Sequence, residues 1–315
     1  MSNDNTSGVF FYCDPATISR STEPFVKSWS KVDVNYTSFS RKEVPATVYN
    51  YRDAVKSGTK FGIDVSGFDV VHSPAKEKDF VDEKAVREGY YAEVEALLRE
   101  KLENVAEGKK IRKVVIFDHT IRKNTDNAPR KPVAQVHVDQ TPRAAEVRVR
   151  RHVEDPAEAE ELLKGRYQLI NVWRPIGHPA SDYPLAVIDW RTTSPDDMVP
   201  IDLLYPKRPE DDDGDDRGKE IAPDPSTYPS TEGYEVKGET YGIVPNETHR
   251  FYYVKDMTPE EAMFIKCFDS RSQGQPGGKE GIAALTPHTA FVDPQTSKGA
   301  PPRQSIEVRC LVFYE

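Results

Sequence analysis

Two short motifs place a histidine two residues before an acid: His-Val-Asp at 137–139 and His-Val-Glu at 152–154. Because side chains alternate across a β-strand, a histidine and an acid at this spacing point to one face and can bind one metal ion. Seven histidines and 52 acidic residues in a chain of 315 produce about one such motif by chance, so the motif alone does not identify a site. The surrounding residues have to distinguish the two.

The motif at 137–139 has the context of a strand with one functional face. Gln135 shares the face of His137 and Asp139, whereas the valines at 136 and 138 take the opposite face. His152 follows two arginines and leads into an acidic helix start, which is typical of a solvated corner. We therefore expect His137 and Asp139 to be the metal-binding pair.

Residues near the end of the chain could supply a third metal ligand and bind a carboxylate: His288, Arg303 and Ser305. Two histidines and one carboxylate on one triangular face are typical of mononuclear iron and leave positions open for substrates. His288, which precedes apolar, β-prone residues, is the candidate second histidine, although a hydrogen-bonded core histidine would look the same. A hairpin centred near Lys298 would place Arg303 and Ser305 beside it. The guanidinium of Arg303 could donate two hydrogen bonds to a carboxylate, and the hydroxyl of Ser305 could donate a third. Alternatively, Arg303 is a surface arginine at the start of a strand.

Two further arginines could bind a carboxylate. Arg309 has the strand parity of Arg303, but six residues at about 3.3 Å each separate them by roughly 20 Å, so both cannot hold one small dicarboxylate. Arg309 also has Glu307 beside it as a potential salt-bridge partner. We expect Arg303 with Ser305 to be the anchor and Arg309 to be a structural or substrate-side charge. Arg174 either anchors a carboxylate of substrate or cosubstrate or pairs with a core acid.

Short alternating segments have to position these residues. Alternation and β-prone composition predict strands at 112–119, 132–139, 167–175, 185–190, 250–254, 288–292 and 303–314.

Fewer segments favour helix. Apolar residues at three- and four-residue intervals predict a helix over 83–103 capped by Asp82, and a second helix is predicted over 156–164. A capping-box pattern at 258–261 predicts a third, which runs to about residue 268. Many strands with few outer helices favour one mainly β domain over residues 1–315, a barrel or sandwich with the 83–103 helix outside. Residues 206–240 are acidic and rich in proline and glycine, so we expect a long surface excursion there.

Composition argues against several classes of protein. A net charge of −9 and a pI of about 5.4 disfavour binding to nucleic acid or anionic membranes. No apolar window is long enough to span a bilayer, and the N-terminus lacks the pattern of a secretory signal. Three cysteines without close spacing suit a reducing compartment. We expect an intracellular, cytoplasmic protein that acts on a small molecule, without a nucleic-acid or membrane partner.

Six segments together carry a family resemblance. They are Ile-Phe-Asp-His-Thr at 116–120, His-Val-Asp-Gln-Thr-Pro at 137–142, Asn-Val-Trp-Arg-Pro at 171–175, Lys-Cys-Phe-Asp-Ser at 266–270, His-Thr-Ala-Phe at 288–291 and Pro-Arg-Gln-Ser-Ile-Glu-Val-Arg at 302–309. In this order the segments resemble the Fe(II)/2-oxoglutarate-dependent dioxygenases. More narrowly, they resemble the mostly fungal hydroxylase/desaturase group that includes gibberellin desaturase-like and cephalosporin methoxylation-type proteins. The resemblance covers roughly residues 40–315 and excludes the acidic loop.

The resemblance implies a double-stranded β-helix of the jelly-roll or cupin-like kind, with flanking helices. His137, Asp139 and His288 would hold Fe(II) at one end of the barrel, and an arginine would bind the distal carboxylate of 2-oxoglutarate. With O2, such an enzyme oxidises an unactivated C–H bond by hydroxylation, desaturation or ring closure. A specialised metabolite or amino-acid derivative would be the substrate.

Two other functions remain open. A zinc hydrolase would use the same ligands, although the sequence has no His-Glu-x-x-His to supply a general base. A catalytically inactive barrel would act as a binding module, although no ligand or anchor residue is missing from the pattern. The oligomeric state is left open.

Overall fold

The computed structural model describes residues 4–19, 27–103, 110–207 and 224–315. Within these residues the chain forms two β-sheets. The strands are β1 (Thr6–Cys13), β2 (Trp29–Lys31), β3 (Arg41–Asn50), β4 (Phe68–His72), β5 (Ile111–Lys123), β6 (His137–Val138), β7 (Tyr167–Pro175), β8 (Leu185–Ile188), β9 (Met198–Pro206), β10 (Tyr234–Ile243), β11 (Phe251–Tyr253), β12 (Glu261–Asp269), β13 (His288–Ala290) and β14 (Gln304–Tyr314).

The two sheets pack face to face around one apolar core. The larger sheet has the order β1-β3-β11-β8-β13-β6-β10-β9-β2, and the smaller has the order β4-β12-β7-β14-β5. Phe10 and Phe251 of the larger sheet stack at 3.7 Å between ring centroids and belong to the same buried cluster as Leu169 and Phe313 of the smaller sheet. This arrangement agrees with the predicted mainly β fold class.

Helices cover the outside. They are α1 (Tyr51–Lys56), α2, α3 (Pro142–His152) and α4 (Pro156–Lys164); α2 comprises Glu83–Ala85, a π-helical turn at Val86–Tyr90 and Tyr91–Leu102. The backbone N–H of Lys84 donates to the Asp82 side chain at 2.9 Å, so the predicted N-cap is confirmed. The apolar stripe of α2, which includes Leu98, packs against the outer face of the smaller sheet at Val172 and Val308. The predicted packing of this helix is therefore confirmed. No helix in the described part of the chain combines the length and apolar character needed to cross a bilayer.

The helix predicted over 258–268 is wrong, because this segment forms the central strand β12. The capping contact does exist: the Glu261 carboxylate accepts from the Thr258 backbone N–H at 2.9 Å and from its hydroxyl at 3.1 Å. However, the residues that follow, Met263 to Ile265, pair with β4 on one side and β7 on the other and are at most 1% exposed. Burial of this apolar run on both faces of a sheet outweighs the local capping signal.

The hairpin proposed to place Arg303 beside His288 is also wrong. His288 begins β13, which lies between β8 and β6 in the larger sheet, whereas the strand after Arg303 is β14, between β7 and β5 in the smaller sheet. The connecting residues cross from one sheet to the other instead of turning back. Any approach of the two side chains therefore takes place across the interior between the sheets.

The acidic excursion is shorter than expected at its C-terminal end. Residues 234–240 belong to β10, which pairs antiparallel with β9, and Glu239 within it is only 9% exposed. The described part of the connection, 224–233, contains a 3-10 turn at Pro225–Thr227, and residues 208–223 lie outside the described residues. The assignment of residues 1–315 to one domain stays a prediction.

A buried ion network fixes the segment that leads to His288. The Lys266 ammonium group donates to Asp269 at 2.7 Å, to Asp64 at 2.8 Å and to the carbonyl of Ala283 at 2.9 Å, and it is fully buried. Arg166 binds the same two carboxylates, each at 2.7 Å. Lys266 and Arg166 thus balance the charges of Asp64 and Asp269, and Lys266 also holds the backbone of Ala283 in the segment before His288.

We expect Lys266→Met to lower the free energy of unfolding by about 3 kcal/mol or more, because it leaves two largely buried carboxylates with a single cation. Chemical denaturation checks this. Lys164→Met is the control, since Lys164 forms an exposed pair with Glu161 and its loss should barely change stability. Equal denaturation midpoints for Lys266→Met and Lys164→Met would contradict a stabilising role of the network.

Candidate metal centre

The structure brings the three predicted ligands together. One donor atom each from His137, Asp139 and His288 lies within 4.8 Å of the other two. The Oδ1 atom of Asp139 is 3.3 Å from the Nε2 atom of His137 and 4.0 Å from that of His288. The arrangement follows from strand pairing, because His137 of β6 is the direct cross-strand partner of His288 of β13.

Backbone hydrogen bonds orient both imidazoles. The Nδ1 atom of His137 lies 2.8 Å from the carbonyl of Gln135, and that of His288 lies 3.0 Å from the carbonyl of Thr286. Because a carbonyl oxygen only accepts, each Nδ1 carries the hydrogen and each Nε2 presents a lone pair to the cluster. Burial and the neighbouring His137 lower the pKa of His288 to about 4, so its ring is neutral at physiological pH.

Asn171 on β7 orients the carboxylate. Its amide nitrogen donates to the Oδ2 atom of Asp139 at 2.8 Å, which leaves Oδ1 directed at both histidines. Burial opposes ionisation of Asp139, but the adjacent imidazoles of His137 and His288 lower the pKa of the carboxyl well below its usual value. Two imidazole nitrogens and one carboxylate oxygen, each oriented by a hydrogen bond, are a donor set that suits Fe(II). Sequence reasoning missed the role of Asn171, because this residue reaches Asp139 only through the packing of β7 against the larger sheet.

We expect Asn171→Ala to weaken Fe(II) binding by about 10- to 100-fold, because the carboxylate loses the partner that fixes its orientation. Equilibrium titration of the purified protein with Fe(II) under anaerobic conditions measures this. Asn246→Ala is the matched control, since Asn246 donates in the same way to an acid, Asp197, that belongs to no metal cluster. A similar loss of affinity in both variants would argue for a general structural effect.

A cavity opens beside the three ligands. Its charged lining comes from the inner face of the smaller sheet: Arg122 on β5, and Arg303, Glu307 and Arg309 at or along β14. The shared parity predicted for the last three residues is therefore confirmed. Trp173 adds an aromatic ring on the same face.

Arg303 is a buried cation whose guanidinium forms no ion pair with an acid among the described residues. It is 2% exposed, one terminal nitrogen donates to the Tyr183 carbonyl at 2.6 Å, and its guanidinium carbon lies 5.7 Å from the centre of the Trp173 ring. Its Nε atom has no hydrogen-bond partner among the described residues. Burial and the charge of Arg122 lower the pKa of Arg303 to about 9. Ser305, 1% exposed, follows two residues later on the strand, so the predicted pair suits a carboxylate ligand.

Arg309 already has an acid. Its Nε atom lies 2.9 Å from the Oδ1 atom of Asp118, and a terminal nitrogen donates to the Thr120 hydroxyl at 2.7 Å. Asp118 lies directly across on β5, so the ion pair forms there rather than with Glu307, the partner expected from sequence. The Nε atom and one terminal nitrogen of Arg309 therefore already have partners within the protein.

The assignment of Arg174 to the cofactor site is wrong. Its guanidinium donates to the Tyr90 hydroxyl at 2.9 Å, to the Pro259 carbonyl at 2.8 Å and to the Ser73 carbonyl. Strand alternation places it on the outer face of β7, beneath helix α2, whereas Trp173 faces the cavity. Arg174 pairs with no acid either; it ties α2 and two loops to the sheet.

His152 does not lie at a solvated corner. It ends helix α3, half-buried, with its ring stacked on that of Phe117 at 4.8 Å between centroids. Burial and the charge of Arg148 lower its pKa to about 4. The choice of the 137–139 motif agrees with this geometry, because His152 and Glu154 share no strand face and belong to no metal cluster in the described residues.

Comparisons with known proteins agree with the site. A family model described as "Oxidoreductase/YMDC permease-like domain" matches residues 10–313. The hydroxylase/desaturase efuI of Hormonema carpetanum is 32% identical over 81% of this chain and 80% of its own length. The Fe(II)/2-oxoglutarate-dependent dioxygenase nvfI of Aspergillus novofumigatus is 31% identical over 84% and 82%.

A solved structure extends the likeness to the whole fold. The iron and alpha-ketoglutarate-dependent endoperoxidase NvfI superimposes with a TM-score of 0.72 at 25% sequence identity, over 99% of each chain. This likeness confirms the predicted double-stranded β-helix. The chain therefore belongs to the Fe(II)/2-oxoglutarate-dependent dioxygenases, within the group that includes the hydroxylase/desaturases.

Proposed function

We propose that His137, Asp139 and His288 bind Fe(II), and that Arg303 with Ser305 binds the distal carboxylate of 2-oxoglutarate. The observation that carries the proposal is the cavity itself, in which three oriented donor atoms within 4.8 Å of one another share the lining with a buried arginine that lacks an anion. Arg309 has the structural role, through its pair with Asp118 and Thr120.

The bound Fe(II), 2-oxoglutarate and O2 supply the oxidation of an unactivated C–H bond, with release of succinate and carbon dioxide. The residues of this chain supply position and exclusion of water. His137, Asp139 and His288 would hold the metal ion at the wall of the cavity. Arg303 would hold the cosubstrate against the smaller sheet, and Leu185 and Ala290 of the larger sheet add apolar side chains to the lining.

We also propose that the substrate is a small specialised metabolite and that the enzyme works in the cytoplasm. The related proteins are named hydroxylase/desaturase and endoperoxidase, and both names describe oxidations. Cys13, Cys267 and Cys310 are all free thiols, as a reducing compartment allows.

The test is anaerobic addition of 2-oxoglutarate to the Fe(II)-loaded protein. Chelation of Fe(II) by a 2-oxo acid produces a visible charge-transfer absorption, which we expect to appear and to saturate with one 2-oxoglutarate per iron. The Zn(II)-loaded protein should give no such band. A colourless Fe(II) protein at saturating 2-oxoglutarate would contradict the proposal.

A further inference from the structure

Arg122 lies in the same cavity, next to the proposed anchor. It belongs to β5 and is the direct cross-strand partner of Ser305 on β14. Side chains at such positions share a face of the sheet, with Cβ atoms about 4.5–5.5 Å apart, and diagonal neighbours such as Arg303 remain within reach of long side chains. Three groups suited to a carboxylate therefore converge on one patch of the cavity wall.

The two arginines of this patch lack the kind of acid partner that Arg166 and Arg309 have. Among the described residues, neither guanidinium has a carboxylate oxygen within 4.0 Å. Arg122 donates to the Lys131 carbonyl at 3.0 Å, as Arg303 does to the Tyr183 carbonyl. Arg309, two strand positions beyond Glu307, has its acid in Asp118.

Two cations that face one cavity repel each other and favour an anionic ligand. Burial lowers the pKa of Arg122 as it lowers that of Arg303, so the unliganded protein disfavours both charges. A carboxylate between the two guanidinium groups would offset the repulsion, and each of its oxygens would accept charge-assisted hydrogen bonds. The hydroxyl of Ser305 is placed to donate a further one.

We propose that Arg122 is a second cation of the cosubstrate site and that it binds the distal carboxylate of 2-oxoglutarate together with Arg303. This inference rests on the proposed function. It predicts a preference for 2-oxo acids with a second carboxylate, because a 2-oxo acid without it lacks the group that both cations would bind.

The experiment is calorimetric titration of the Fe(II)-loaded, anaerobic protein with 2-oxoglutarate and, separately, with 2-oxobutyrate. The second acid keeps the metal-chelating end and lacks the distal carboxylate. We expect Arg122→Met to raise the Kd for 2-oxoglutarate about tenfold or more, since a charge-assisted contact is lost. The Kd for 2-oxobutyrate should not rise. Arg112→Met, an exposed arginine on the same strand, is the control and should bind like the unaltered protein.

Two results would overturn the inference. They are an unchanged Kd for 2-oxoglutarate in Arg122→Met and an equal loss of affinity for both 2-oxo acids. An unchanged Kd would assign Arg122 to an anionic group of the substrate instead. Arg122→Lys keeps the charge without the fork, and we expect an intermediate Kd, which serves as the test if the methionine variant does not fold. An unaltered protein that binds neither acid would contradict the proposed function itself.

Discussion

Replacement of His137 or Asp139 by alanine is expected to abolish both turnover and iron retention. Each change removes one of three donors, and for Asp139 it also removes the only negative charge among them. The core residues beside the motif, Val136 and Val138, are unchanged in both variants. The variants should therefore fold. Iron content after gel filtration and succinate release from 2-oxoglutarate measure the two effects, and circular dichroism checks the fold.

His152→Ala is the matched control, because His152 begins the other His-x-acid motif. Its ring contacts Phe117 and no metal cluster, so we expect iron content and turnover to remain. If His152→Ala abolished both while His137→Ala kept full activity, the choice between the two motifs would be wrong.

Arg303→Leu should raise the 2-oxoglutarate concentration needed for half-maximal turnover about tenfold or more, because a buried charge-assisted contact is worth a few kcal/mol. The same variant should leave the unliganded protein at least as stable as before. The pKa of Arg303 is lowered to about 9 in the folded protein, mainly by burial, so folding disfavours its charge and a neutral side chain removes that cost. Turnover at varied 2-oxoglutarate and thermal unfolding of unliganded protein measure the two effects.

Arg309→Leu should show the opposite pattern. It leaves the Asp118 carboxylate without the cation that lies 2.9 Å away, so stability should fall while the cosubstrate requirement changes little. If Arg309→Leu raised the requirement for 2-oxoglutarate and Arg303→Leu did not, the two roles would have to be exchanged.

Secondary structure was predictable where the pattern agreed with the tertiary environment. The strand at 167–175 and the helix at 156–164 have the predicted bounds, because alternation and an acidic N-cap coincide with burial there. Helix α3 was not predicted, since only Ala144, Ala145 and Val149 are buried and arginines dominate the rest. The strand β12 was missed because a real capping contact precedes it.

The site was predictable for residues that are close in the sequence. His137 lies in β6 and Asp139 directly follows this strand, and their side chains approach to 3.3 Å as the His-x-Asp spacing predicted. Asn171 and Arg122 reach the site only through pairing between strands, and register cannot be derived from one sequence. Arg174 was misassigned for a related reason, because alternation shows which residues share a face but not which face helix α2 covers.

The most direct test of the central claim is anomalous diffraction at the iron edge from crystals grown anaerobically with Fe(II) and 2-oxoglutarate. We expect one anomalous-difference peak in contact with the Nε2 atoms of His137 and His288 and the Oδ1 atom of Asp139. The distal carboxylate of 2-oxoglutarate should lie at Arg303. A peak at any other group of side chains, or 2-oxoglutarate bound away from this cavity, would contradict it.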